Sequence, residues 1–127
     1  MKSDPASRLR ARERWFETDL GRHMLGAERA LVDAKLAQLY GFHLMQMSIS
    51  TEVSLFESSM IRHKFSLAQL PGGQGISALA EPEQLPIESD SVDVVLLHHV
   101  LEYSQDPHQM LREATRVVVP HGHLLIV

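Results

Sequence analysis

Apolar residues recur at helical spacing through the first forty positions of the chain. Residues three and four apart share one face of a helix, so the pattern predicts one or two amphipathic helices. Thr18 or Asp19 suits the cap of a second helix, and Gly41 is typical of a helix end. We therefore expect residues 1–40 to form an N-terminal helical segment. The apolar stripe consists of Trp15, Phe16, Leu20, Met24, Leu25, Leu31, Val32, Leu36 and Leu39.

Short apolar runs replace the helical spacing after Gly41. Such runs, bounded by turn residues, are typical of buried strands. A short helix at Glu52–Met60 is expected between the first two runs, and the proline and glycines of Leu70–Gly75 predict a loop. The predicted strands are Phe42–Ile49, His63–Leu67, Ile76–Leu79, Val92–His99 and a last one that begins at His123.

The clearest signal lies in the last third of the chain. Val92–His99 is β-branched and continuously apolar, as is typical of a central strand covered on both faces. The segment Asp106–Val117 predicts a helix, with Asp106 as its cap and Pro107 in its first turn. A turn at Pro120–Gly122 then leads into the last strand. Strand, helix and strand form a right-handed parallel crossover, which indicates an α/β fold.

The link before the strand at Ile76–Leu79 conflicts with a fully parallel sheet. It runs over seven residues, Ala68–Gln74, whereas a parallel crossover needs about a dozen or more. We therefore expect this strand to be antiparallel to its predecessor, to lie elsewhere, or not to form.

Composition narrows the class of protein. The chain has 127 residues, no cysteine and a net charge of −4, which predicts one soluble domain and excludes a disulfide framework or a thiol nucleophile. The N-terminus is too charged for a signal peptide, and no apolar stretch is long enough for a membrane span. The mild acidity makes nucleic acid an unlikely main partner. These observations favour a cytoplasmic location without membrane association.

The segment Leu85–Val127, "LPIESDSVDVVLLHHVLEYSQDPHQMLREATRVVVPHGHLLIV", resembles the second half of class I S-adenosylmethionine-dependent methyltransferases of the methyltransferase type 11 group. More loosely, residues 15–47 resemble the first helices and first strand of a bacterial subgroup. The resemblance implies a partial Rossmann-like methyltransferase fold over residues 41–127, with a mostly parallel sheet flanked by helices and the N-terminal helices joined to it as one structural unit. It also implies S-adenosylmethionine as cofactor.

The first cofactor loop departs from the family pattern. By the resemblance, Gln46 stands where an acid usually ends the first strand, while Ser48 and Ser50 stand where two glycines follow. Glycines let the backbone approach the cofactor closely, and each added Cβ would narrow the loop. The second strand also lacks the acid that holds the ribose, since Leu67, Ala68 and Gln69 occupy that neighbourhood.

The later strands keep more of the pattern. Glu81 matches the carboxylate that accepts a hydrogen bond from the adenine amino group, with Pro82 beside it. His98 and His99 end the fourth strand, where the family lines the amino-acid end of the cofactor. The resemblance therefore predicts a cofactor site of Gln46, Ser48, Ser50, Glu81, Pro82, His98 and His99.

Methyl transfer needs alignment of the acceptor more than a protein nucleophile, and in some cases a base. His98, His99 and Tyr103 are the candidates for catalysis, although histidine at a strand end is more often packed or hydrogen-bonded. His121 and His123 share a strand face, but no third ligand accompanies them, and we predict no metal site.

Two functions remain open at this point. The chain is a methyltransferase, or a fragment of one, with an unknown methyl acceptor; the alternative is a non-catalytic interaction module that has lost the cofactor. The family's fold continues through two further strands, so we expect a truncated version of it. The apolar last strand would then be an open edge, which predicts a homo-oligomer paired through that strand.

Overall fold

A computed structural model describes residues 5–71 and 75–127. The helices are α1 (Pro5–Trp15), α2 (Asp19–Leu36) and α3 (Pro107–Val117), and a single 3-10 turn covers Leu101–Tyr103. The strands are β1 (His43–Ser48), β2 (His63–Ala68), β3 (Ile76–Leu79), β4 (Val92–His98) and β5 (Val118–Ile126). The caps are as predicted: Thr18 accepts the Gly21 N–H at the start of α2, and Asp106 accepts the Gln109 N–H at the start of α3.

The five strands form one parallel sheet in the order β3-β2-β1-β4-β5. The predicted α/β fold with a mostly parallel sheet and N-terminal helices is confirmed. The chain builds outward from β1 to β2 and β3, then crosses to β4 on the other side of β1. The order of the strands therefore reverses between β1 and β4, and ligands of open α/β sheets bind at such a crevice, outside the carboxyl ends of the strands.

The core lies on both faces of β1 and β4, because successive residues of a strand point to opposite sides. On one face, residues of both strands pack with α3; on the other they pack with α2. The first set includes Met45, Met47, Val95, Leu97, Met110, Ala114 and Val117. The second includes Val32, Leu36, Leu44, Val94 and Leu96. This packing fixes the carboxyl ends of β1 and β4 against α2.

The prediction for Ile76–Leu79 was wrong, since β3 pairs with β2 in parallel. The rule of a dozen residues assumes strands of ordinary length. β3 has four residues, about 13 Å of strand at roughly 3.3 Å per residue. A link of seven residues, which reaches up to about 24 Å, is therefore long enough to return to the start of β3.

The helix predicted at Glu52–Met60 was also wrong, because these residues form turns and extended chain. Serine hydroxyls in this segment accept backbone N–H groups two residues ahead: Ser50 Oγ accepts from Glu52 and Ser59 Oγ accepts from Ile61. Such local bonds compete with helical hydrogen bonds. The connection between β1 and β2 is consequently a non-helical loop.

Two boundaries differ from the predictions. α2 ends at Leu36, and Gly41, at φ 150°, instead marks a close approach to β4: a Cβ there would lie 2.3 Å from Asp93 Cγ. Asp93 Oδ2 accepts the N–H groups of Phe42 and His43 at 2.8 and 2.9 Å. The turn predicted at Pro120–Gly122 lies inside β5, where the pairing with β4 becomes irregular.

Candidate functional site

Two neighbouring cavities open at the carboxyl ends of the strands, beneath α1. The larger has a volume of about 830 Å³, and Gln69, Glu81 and Glu83 are among the residues that line it. The smaller has a volume of about 440 Å³ and is lined by Trp15, Phe16, Met24, His99 and Glu102, among others. Arg8, Arg12 and Tyr103 line both cavities. The two therefore form one cleft with a shared wall.

α1 is attached to the end of β1 through a carboxylate. Glu13 Oε1 accepts the Thr51 N–H at 3.0 Å and also accepts the Thr51 hydroxyl. From the preceding residue of the same helix, Arg12 Cζ lies 4.2 Å from the centre of the Tyr103 ring, a cation–π contact. These contacts hold α1 across the strand ends and close the cleft on one side.

Gln46 is buried below the loop that follows β1. Its amide donates to the Val53 carbonyl and accepts the Leu55 N–H, both at 2.8 Å. Both contacts join the side chain to backbone seven and nine residues away. Gln46 therefore holds the loop in its present path.

Ser48 and Ser50 satisfy the backbone of the same loop. Ser48 Oγ accepts the Ser50 N–H at 3.1 Å and lies 2.7 Å from His98 Nδ1. Ser50 is 3% exposed, and its hydroxyl accepts the Glu52 N–H. The serines in the place of the expected glycines thus act as hydrogen-bonding groups within the loop.

His98 and His99 converge on the carboxylate of Glu28 in α2. His98 Nε2 lies 3.1 Å from Glu28 Oε1, and His99 Nε2 lies 2.5 Å from Glu28 Oε2. Glu102 Oε1 lies 3.1 Å from His99 Nδ1. Burial lowers the pKa of His98, against the opposing effect of Glu28. Burial therefore favours the neutral form of His98.

Glu28 was missed at the sequence level, although a signal for it exists. It lies three residues after Leu25 and four before Val32, within the apolar stripe of α2. A glutamate on a buried helical face needs a partner because burial of an unpaired charge is costly. The periodicity could therefore have marked Glu28 as functional, but not which groups it meets.

The structure brings only some of the predicted site residues together. Ser48, His98 and His99 form one network with Glu28, and Gln46 and Ser50 lie in the loop beside it. Glu81 lines the larger cavity, next to the buried Pro82, whereas His99 and Tyr103 line the smaller one. His98 is fully buried behind His99. His121 and His123 are exposed on β5, away from this cleft.

The sequence matches the methyltransferase domain family over residues 25–126. The chain belongs to this family. The Escherichia coli (strain K12) protein YafS is 33% identical over 113 residues, which cover 88% of this chain and 46% of YafS. This methyltransferase domain therefore spans less than half the length of that relative. The predicted superfamily is confirmed.

Solved structures share the fold of this methyltransferase domain. A Methanococcus maripaludis protein proposed to be an S-adenosyl-L-methionine-dependent methyltransferase aligns with a TM-score of 0.71 at 13% identity, covering 99% of this chain and 65% of that one. The methyltransferase CalH in complex with S-adenosylhomocysteine aligns with a TM-score of 0.60 at 14% identity, covering 77% of this chain and 35% of that one. Within residues 5–71 and 75–127, no helix has both the length and the apolar character needed to cross a membrane.

Proposed function

We propose that the cleft beneath α1 binds S-adenosylmethionine and that the protein transfers its methyl group to an acceptor in the smaller cavity. The observation that carries this proposal is the pair of connected cavities at the point where the strand order reverses. A cavity of about 830 Å³ lies within the usual size range of ligand pockets, roughly 300–1,000 Å³. The family membership and the CalH complex support the same cofactor.

The groups around the larger cavity suit this cofactor. Glu81 and Glu83 supply carboxylates that can accept hydrogen bonds from amino and hydroxyl groups. In the loop after β1, the Thr51 N–H already binds a carboxylate, that of Glu13. A cofactor carboxylate could take the place of Glu13 at this N–H, so Glu13 would have to release it when the cofactor binds. The proposal gives Glu81 the adenine end and gives the segment containing Ser48 and Ser50 the amino-acid end.

The smaller cavity would hold the methyl acceptor. The bound cofactor supplies an activated methyl group on its sulfonium, so the main task of this chain is to align the acceptor with it. His99 and Tyr103 line the cavity and would orient the acceptor, while buried His98 is a positioning residue behind them. Aromatic walls from Trp15 and Phe16 beside Arg8 and Arg12 favour an acceptor with an apolar body and a negative charge.

Binding of S-adenosylhomocysteine tests the proposal directly. Calorimetry should show one site, and ligand at 100 times its dissociation constant should stabilise the fold by about 2.7 kcal/mol. Glu81→Gln should weaken binding by about tenfold, because one hydrogen bond to a charged group is lost. Glu88→Gln, an exposed carboxylate of the same connection, is the matched control and should bind like the wild type.

A melting curve that saturating cofactor leaves unmoved would reject the proposal for this chain. The occupied loop after β1, held by Gln46 and Glu13, would then support the alternative of a non-catalytic interaction module. Equal affinities of Glu81→Gln and Glu88→Gln would leave cofactor binding in place but would remove Glu81 from the site.

A further inference from the structure

Three side chains meet beside the smaller cavity: Glu28 of α2, His98 at the end of β4, and His99, which follows β4 and lines the cavity. One ligand atom from each lies within 4.8 Å of the other two. We propose that they bind one divalent first-row transition-metal ion, with zinc as the reference case. None of the three residues lines the larger cavity, so metal binding can be measured without the cofactor.

The backbone after β4 is bent in a way that creates this cluster. Consecutive residues of a strand point to opposite faces, so His98 and His99 would normally diverge. His99 instead has φ 55°, in the left-handed region that residues other than glycine rarely adopt. The bend brings both imidazoles to one carboxylate, with ring centres 4.7 Å apart. Such a conformation persists only where its surroundings fix it, and it concentrates at functional sites.

His99 faces a carboxylate at each of its two ring nitrogens. Its Nε2 faces Glu28 at 2.5 Å and its Nδ1 faces Glu102 at 3.1 Å. Ionised carboxylates only accept, and a neutral imidazole has one N–H. One of the two contacts would therefore set a lone pair against a carboxylate. A metal ion bound by both Nε2 and the Glu28 carboxylate would remove that repulsion and leave the Nδ1–H for Glu102. With bonds of about 2.0–2.2 Å, the ion would first have to separate Nε2 and Oε2, which lie 2.5 Å apart. Hydrogen bonding of the ring to both carboxylates without a metal is the alternative, and the experiment below separates the two cases.

Both imidazoles also have the outer partners that metal-binding histidines usually have. His98 Nδ1 lies 2.7 Å from Ser48 Oγ, while Glu102 faces His99 Nδ1. Such partners fix the orientation and tautomer of a ligating ring, which leaves Nε2 for the metal. Ser48 thereby receives a second role, as the residue that orients His98.

The ligand set indicates the class of metal. Two imidazoles and one carboxylate suit zinc and other first-row divalent ions. A zinc site with three protein ligands keeps a fourth position open for water or a ligand. Because His99 and Glu102 line the smaller cavity, the open position would face it. An oxygen or nitrogen of a molecule in that cavity could then coordinate the ion.

A second histidine pair must be removed before the measurement. His43 Nδ1 and His63 Nδ1 lie 2.9 Å apart, exposed at the amino ends of β1 and β2. This pair could hold an adventitious ion, so the titrations use the full chain carrying His63→Gln. After treatment with a chelator, zinc is added in a calorimeter, and cobalt(II) is added with its visible absorption as a report of coordination.

We expect one equivalent of zinc to bind, and cobalt to give an absorption typical of four or five ligands. Adding His99→Gln or Glu28→Gln should weaken zinc binding by more than about 100-fold, because a direct ligand is lost. Glu102→Gln should weaken it by about 10–100-fold, as for an outer partner. His121→Gln, an exposed histidine on β5, is the matched control and should change nothing.

Circular dichroism confirms that each variant is folded, and Glu102→Gln tests the site without altering a buried group. The proposal is overturned if the chain with His63→Gln takes up no zinc, which would leave hydrogen bonding to Glu28 and Glu102 as the explanation of the contacts. It is equally overturned if His99→Gln binds zinc as tightly as its parent.

Discussion

Gln46 shows how one residue sets the shape of the candidate site. It is 1% exposed at the end of β1, and its amide has two different tasks. The NH₂ group donates to Val53 and the oxygen accepts from Leu55. An amide can do both, whereas an ionised carboxylate has no proton to donate and a hydrocarbon can do neither. At this position the family resemblance suggests an acid, yet the loop of this chain requires glutamine.

Gln46→Glu should therefore destabilise the protein. At neutral pH, the introduced carboxylate would be buried against the Val53 carbonyl without a proton to donate. We expect the free energy of unfolding to fall by about 3 kcal/mol, measured by urea denaturation. The loss should shrink as the pH falls, since a protonated carboxyl can donate again. Ser66→Ala, which removes only the long 3.4 Å contact to Gln46, should cost less. Unchanged stability of Gln46→Glu would contradict this account of the loop.

The candidate site contains residues that the sequence predicts and one that it does not. His98, His99 and Tyr103 were predicted because the family resemblance places the cofactor at the end of the fourth strand, and the apolar pattern of that strand is clear from the sequence. Glu28 lies 70 residues from His98, and no local signal joins a helix to the far end of a strand. The positive φ of His99, which makes the two rings converge, is also a tertiary effect.

At the scale of elements, an ion pair within α3, between Glu113 and Arg116, also makes hydrogen bonds to the connection before β4. Glu113 accepts from Arg116 at 2.7 Å and from the Leu85 N–H at 2.8 Å. Arg116 also donates to the carbonyls of Leu85 and Ile87. The pair thus binds both the N–H and the carbonyl of Leu85, and it holds the chain that leads from Glu81 to β4. The hydrogen bond from Arg116 lowers the pKa of Glu113.

The lowered pKa of Glu113 predicts that its contribution to the free energy of unfolding is lost in acid. A carboxyl with a lower pKa when folded contributes stability above its unfolded pKa of about 4.3, and loses it as the pH falls through the folded value. Glu113→Gln should cost about 1 kcal/mol at pH 7, and the difference from wild type should vanish in acid. Chemical denaturation from pH 7 to about pH 3 measures it, with exposed Glu88→Gln as control. A difference that stays constant over this range would refute the role of the Glu113 charge.

The same scale explains which elements could be predicted. β1, β4 and α3 have local signals: a buried apolar run, or a cap followed by an apolar face. The parallel pairing of β3 with β2 was not predicted because the rule for parallel crossovers ignores how short β3 is. A helix was wrongly predicted at Glu52–Met60 because serine hydroxyls and Gln46 make hydrogen bonds to the backbone groups that a helix would use. The length of β3 and side-chain hydrogen bonds to the backbone decided these cases, and hydrophobic periodicity reports neither.

At the scale of the whole molecule, β3 and β5 are the two edge strands of the sheet among the described residues. Of these two, β5 pairs with β4. The Val127 N–H bonds to Leu97, and its carbonyl accepts from His99. Since the bonding direction alternates along a parallel strand, the N–H and carbonyl of Ile126 point away from β4. Ile126 is also 53% exposed. An apolar strand with outward polar groups is a template for pairing with another chain.

We therefore predict that the chain associates with a second copy through β5. Sedimentation at micromolar concentration should show a dimer. Ile126→Pro should give a monomer with nearly unchanged melting, because proline is tolerated on an edge strand where its nitrogen faces away from the sheet. Ile126→Thr keeps the outward N–H and is the matched control, so it should remain a dimer. A monomeric wild type would contradict the prediction, and a dimer that survives Ile126→Pro would place the contact on another surface.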